Sequence, residues 1–185
     1  MTCGLRAALP VKPERTNKEM QTHIAVGQIQ QRLSGIAERY NRLLIVAGPS
    51  GSGKTSVLRA LGAAEDVPVL NVGEEISRAL LDLTERQRAL QLPKLLDDAV
   101  TGLPRDLTLL DNIDLLFNPV LRQDPLRLLH GISRERTIVT SWLGSVEGDF
   151  LSYAVPEHPE FRRYPSADLL FVSLDSATRS QQVWK

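Results

Sequence analysis

The chain has 185 residues, with 22 basic and 22 acidic side chains, three histidines and one cysteine. That length suits one sizeable core rather than two, and balanced charge gives no overall field to gather nucleic acid or an anionic membrane, so any DNA contact is expected to be weak, local or indirect. A lone Cys3 excludes an internal disulfide, no paired Cys/His spacing offers a zinc site, and neither a leader pattern nor a membrane-length apolar run stands out, so a cytoplasmic, unexported protein is expected.

Residues 1–18 mix Pro10, Lys12, Pro13, Arg15 and Lys18 without apolar periodicity, which predicts a disordered tail before a single domain over 19–178. From Glu19 to Arg39, Ile24, Ile29, Leu33 and Ile36 approximate helical spacing and predict an amphipathic helix. Leu43 to Ala47 is a continuous apolar run too short for a helix, the mark of a strand covered on both faces. A glycine-rich loop follows at once and launches a helix over Lys54 to Gly62. Val67 to Val72 predicts a second strand, which Pro68 places at a sheet edge. Helices are predicted over Glu74 to Leu83 and from Pro93, as N1, to Val100. Leu107 to Leu110 predicts a third strand that ends in Asp111. Asp124 and Pro125 read as N-cap and N1 of a helix through Ile132. Thr137 to Thr140 and Asp168 to Leu174 predict the fourth and fifth strands. Between them, Gly144 to Tyr164 holds Gly148, Pro156 and Pro159 among aromatics, predicting extended segments, loop and a small hairpin. Residues 179–185 are expected to be a tail. Strands alternating with helices predict an α/β fold, a three-layer sandwich around a mainly parallel five-stranded sheet, with ligand beyond the carboxyl ends of the strands.

Gly48 to Thr55 reads GPSGSGKT, a complete G-x-x-x-x-G-K-[ST] phosphate-binding loop in its required strand-to-helix context. The predicted nucleotide-binding set is Gly48, Pro49, Ser50, Gly51, Ser52, Gly53, Lys54, Thr55 and Ser56. Its glycines let amide N–H groups turn toward phosphate, Lys54 reaches the β- and γ-phosphates, and the Thr55 hydroxyl ligates Mg²⁺. The positive end of the following helix dipole adds to the cradle. The cofactors predicted are therefore a nucleoside triphosphate and Mg²⁺.

Hydrolysis also needs a second metal contact and a group that orients or deprotonates water. Asp111 closes an apolar strand, where it serves as a metal carboxylate or as an N-cap for Ile113 onward; a second acid, Asp114, favours the metal role. Many P-loop ATPases carry a Glu after the metal-binding Asp, but here the residue is Asn112, whose amide cannot accept a proton. Unaided turnover is therefore expected to be slow. Asp114 is the candidate substitute, with a solvated or capping acid as the alternative. Thr140 and Ser141, at the predicted end of the fourth strand, fit a polar sensor of the γ-phosphate or a hydroxyl satisfied by backbone. Arg134 and Arg136 precede the fourth strand, and Arg162 and Arg163 the fifth, so either pair acts in trans across an oligomer or is plain surface. Tyr40 to Arg42 is a candidate lining for a base pocket.

GPSGSGKT, the LLDNIDLLF block followed by DPLRLLHGISRERTIV, and LSYAVPEHPEFRRYP together resemble the BrxF family, small P-loop proteins of type 3 BREX phage-defence systems, from about Ile24 to Leu174. The resemblance implies an ATP-binding component with an AAA-like core, its third strand separated from the first by the fourth. It also implies partners: a larger ATPase, a methyltransferase and a phosphatase-like protein. About ten residues follow the fifth strand, so the expectation is no C-terminal helical lid. Two other readings remain open, a nucleotide-dependent scaffold with little turnover and a small-molecule kinase, since GPSG before Gly-Lys-Thr also resembles the guanylate kinase loop.

Overall fold

A computed structural model describes residues 13–174; the predicted tail at 179–185 and the first twelve residues lie outside them. The first helix, α1, spans Pro13–Leu33 and starts six residues before the predicted Glu19. A proline is tolerated in a first helical turn because its missing N–H would have no partner there. β1 is Leu43–Gly48, α2 Lys54–Glu65, β2 Val69–Asn71 and α3 Val72–Leu80. Val72, predicted to end a strand, instead opens α3, because the Asn71 side chain caps the helix by accepting from the Glu74 N–H at 3.1 Å.

α4 runs Glu85–Thr101 and corrects the prediction that a helix begins at Pro93, which lies in its interior. The Thr84 side chain and Gln87 form a capping box that starts the helix eight residues earlier. Leu92, Leu96 and Val100 are buried on its inner face, which offsets the backbone hydrogen bond that Pro93 removes. β3 is Thr108–Asp111; α5 is Pro125–Ile132, capped by Asp124 as read from the sequence. β4 extends over Ile138–Leu143, three residues beyond the predicted end at Thr140. β5 (Val146–Glu147), β6 (Phe150–Tyr153) and β7 (Arg162–Pro165) follow, and β8 is Leu170–Ser173.

The main sheet has the order β2-β3-β4-β1-β8 with every pairing parallel, so β4 separates β3 from β1 and Pro68 precedes an edge strand. Alternation along β1 builds two cores. Leu44 and Val46 pack with Ala25 and Ile29 of α1 and Val57, Leu58 and Leu61 of α2. Leu43, Ile45 and Ala47 pack on the other face with α3, α4 and α5. Both faces are covered, which is why β1 is apolar at every position and buried throughout.

The predicted hairpin is a second, antiparallel sheet in the order β5-β6-β7. It is pinned to the end of β4 by the Trp142 indole N–H, which donates to the Ser152 carbonyl at 2.8 Å. A Cβ at Gly144 would fall on that same carbonyl oxygen, so only glycine lets the strands approach this closely. The Tyr164 hydroxyl donates to Asp124 at 3.0 Å and ties the far strand to the start of α5.

Candidate functional site

The loop between β1 and α2 is built by backbone conformation. Gly51 and Gly53 have φ of +75° and +95°, left-handed values that ordinary side chains resist. At Gly48 a Cβ would come within 2.5 Å of the Ser52 hydroxyl. Pro49, Ser50 and Gly51 are exposed and Ser52 is half-buried, its N–H donating to the Pro49 carbonyl at 3.2 Å. Lys54 folds back over the loop, its ammonium donating at 2.7 Å to the carbonyls of both Gly48 and Pro49. Thr55 lies half-buried and Ser56 exposed in the first turn of α2, at the positive end of its dipole. The Lys18 side chain of α1 also reaches this loop: its Cε would lie 3.6 Å from a Cβ at Gly53.

Parallel pairing brings the ends of β1, β3 and β4 to one edge, and Asp111 closes β3 there in register with Asn71. The short 3₁₀ turn Asp114–Phe117 that follows has no side-chain cap, so Asp111 does not act as the N-cap considered for it. Asp114 is half-buried. Burial raises its carboxyl above the usual range, the Tyr153 hydroxyl and the Lys54 ammonium pull it back, and Asp111 pushes it up again. Lys54 and Asp111 thus both act on the Asp114 carboxyl.

Asn112 has φ +55°, and its amide donates to the Asn71 side chain at 3.0 Å. Its backbone N–H donates to the Ser141 hydroxyl, and its carbonyl accepts from the Gly73 N–H. Together these contacts tie the residue after β3 to the end of β2, to β4 and to the start of α3. Thr140 is not brought to the loop. It lies in mid-strand, fully buried, in register with Ile45 and Leu110 of the core under α3 to α5, and its hydroxyl donates to the Ser141 carbonyl at 3.2 Å.

Arg136 is not surface: it is 4% exposed and its guanidinium caps the Val100 carbonyl at the end of α4. Arg134 stands 5.2 Å over the ring of Tyr40. Tyr40 to Arg42 enter β1 at its amino end, which a six-residue strand at ~3.3 Å per residue sets roughly 20 Å from the loop. They cannot line a base pocket beside it. Arg162 and Arg163 belong to β7, within the extended, hairpin-forming stretch expected there; Arg163 is exposed and lies 3.8 Å over the Phe150 ring.

The residue that sequence reasoning passed over is Tyr153. Its hydroxyl donates to Asp114 at 3.2 Å, and its ring stacks on Phe117 with centroids 3.4 Å apart. It lies in the LSYAVPEHPEFRRYP segment that carries the family resemblance, but nothing in that segment's local pattern gives the tyrosine a role at the site.

A phosphate loop after β1, an acid at the end of β3 and the order β2-β3-β4-β1-β8 define the α/β architecture of a P-loop NTPase. No family profile and no curated protein matches the chain. Among solved structures, AMPPCP-bound DnaA from Aquifex aeolicus is similar at 16% identity and a TM-score of 0.45, over 86% of this chain and 48% of that one. This chain therefore spans about half the length of that neighbour. Among the described residues no helix is long and apolar enough to cross a membrane.

Proposed function

We propose that the chain binds ATP with Mg²⁺, hydrolyses it slowly, and serves as a nucleotide-dependent component of a BREX-type phage-defence system. What supports the nucleotide reading is the glycine loop with Lys54 folded over it, at the sheet edge where Asp111 also ends its strand. Binding phosphate would exchange the two carbonyls now held by Lys54 for phosphate oxygens, while the loop amides and the α2 dipole meet the remaining charge. Thr55 and Asp111 would hold the metal. Among the described residues no three metal-ligating side chains cluster, which suits a cation that takes most of its oxygens from phosphate and water. When bound, Mg²⁺ supplies charge neutralisation at the phosphates.

With Asn112 engaged by Asn71, Asp114 is the group left to orient or deprotonate water. The same engagement supports slow unaided turnover and keeps a scaffold reading in play. The BREX role and its partners, a larger ATPase, a methyltransferase and a phosphatase-like protein, rest on the resemblance of the Asp111–Asp114 block and the β6–β7 segment. Arg162 or Arg163, on β7, would serve a neighbouring subunit's site in a homo-oligomer.

The test is steady-state turnover of MgATP against protein concentration, with Lys54→Ala as control. We expect slow hydrolysis that falls about 100-fold in the control, roughly 2.7 kcal/mol of transition-state stabilisation, and that rises faster than linearly if subunits complete each other's sites. Turnover that the control retains overturns the nucleotide reading. ADP formation that requires added GMP would establish a kinase instead.

A further inference from the structure

Asp114 sits on a turn of only four residues, Asp114–Phe117, with no side-chain cap of its own. What holds that turn comes from far along the chain. Tyr153, at the end of β6, grips it at two points: the hydroxyl reaches Asp114 Oδ1 at 3.2 Å, and the ring lies flat on Phe117 at 3.4 Å with an interplanar angle of 5°. Tyr153 is 2% exposed, and Trp142 packs edge-on against both rings, at 5.0 Å from Phe117 and 6.1 Å from Tyr153. The grip is rigid at its other end too. Trp142 binds the Ser152 carbonyl, Gly144 admits that carbonyl at close range, and Tyr153 is paired with Arg162 in the antiparallel ladder.

A stack alone would explain a core aromatic. A stack with its one polar atom aimed at an acid that feels the charges of both Lys54 and Asp111 does something more. It fixes which way the Asp114 carboxylate points, because one carboxylate oxygen is held and the other is left for a second partner. We propose that Tyr153 is a positioning residue for hydrolysis, acting through Asp114, and that the β5-β6-β7 sheet is thereby part of the nucleotide site rather than an ornament on it. This rests on the reading of Asp114 as the water-orienting group.

The experiment compares full-length wild type, Tyr153→Phe, Asp114→Asn and the double variant, measuring kcat and KM for MgATP and the affinity for a fluorescent ATP analogue. Tyr153→Phe keeps the stack and removes only the hydroxyl, so the fold is retained. The expected result is a kcat lowered about tenfold or more, with KM and analogue affinity within twofold of wild type. In the double variant the Tyr153→Phe change should add nothing to the loss caused by Asp114→Asn, since both act through one carboxylate. A Tyr153→Phe protein with unchanged kcat overturns the proposal. So does a loss that simply adds to that of Asp114→Asn, or one that appears only as weaker binding. If Asp114→Asn itself turns over normally, the proposal falls with the Asp114 reading beneath it. The Lys54→Ala control separates that outcome from failure of the nucleotide site as a whole.

Discussion

The phosphate loop and the Asp114 corner are neighbours in space but are made in opposite ways. The loop is eight consecutive residues, Gly48 to Thr55, and its shape comes from glycine dihedrals, a helix start and a lysine that bonds carbonyls five and six residues behind it. The corner is assembled from β3, a short turn and a tyrosine 39 positions further on, and aromatic stacking holds it. A site of the first kind survives wherever a strand meets a helix. One of the second kind exists only while two sheets keep their distance and angle, which makes it the place where events on the second sheet would be felt at the nucleotide.

That contrast is broken or sharpened by substitution. Tyr153→Ala removes a buried ring from the Phe117–Trp142 cluster and should cost about 3–5 kcal/mol of stability, read as a lowered midpoint in denaturant. Equal stability to wild type would mean the second sheet is not anchored through this residue. Gly51→Ala, in open space but at φ +75°, should cost only about 1–2 kcal/mol while visibly weakening nucleotide affinity. Should it destabilise the protein as much as Tyr153→Ala, the loop would be a structural keystone rather than a local device.

The smallest effect is on pH. Burial raises the Asp114 carboxyl, so as pH falls it takes up its proton before an aspartate with the ordinary value of about 3.9 would. Turnover should therefore be present at neutral pH and decline on acidification, with a limb above the ordinary aspartate range that Asp114→Asn abolishes. A limb that persists in that variant belongs to another group.

Much of the architecture was legible because it is periodic or local. Every strand of the main sheet was located from its apolar run, and Asp124–Pro125 marked a helix start through a cap that needs only three residues. The errors have physical causes. Pro93 looked like a helix start because proline suits N1, but the Thr84–Gln87 capping box had already begun the helix. Thr140 looked like a strand end because the residues after it, Ser141 and Trp142, lack a continuous apolar pattern; Trp142 is nevertheless buried, its indole satisfied by Ser152. Arg136 looked like surface because arginine usually is, yet the Val100 carbonyl at the end of α4 gives its guanidinium a buried partner.

By itself the sequence determined the fold class, the phosphate loop and the acid opposite it, since a glycine turn, an apolar strand and a terminal carboxylate are written in adjacent residues. Only the tertiary structure decided the fate of the side chains around them. It turned Asn112 toward Asn71, sealed Thr140 in the core, sent Tyr40 to the far end of β1 and set Tyr153 on Asp114. Those placements depend on which distant segments pack together, and packing is a property of the whole chain that no local pattern records.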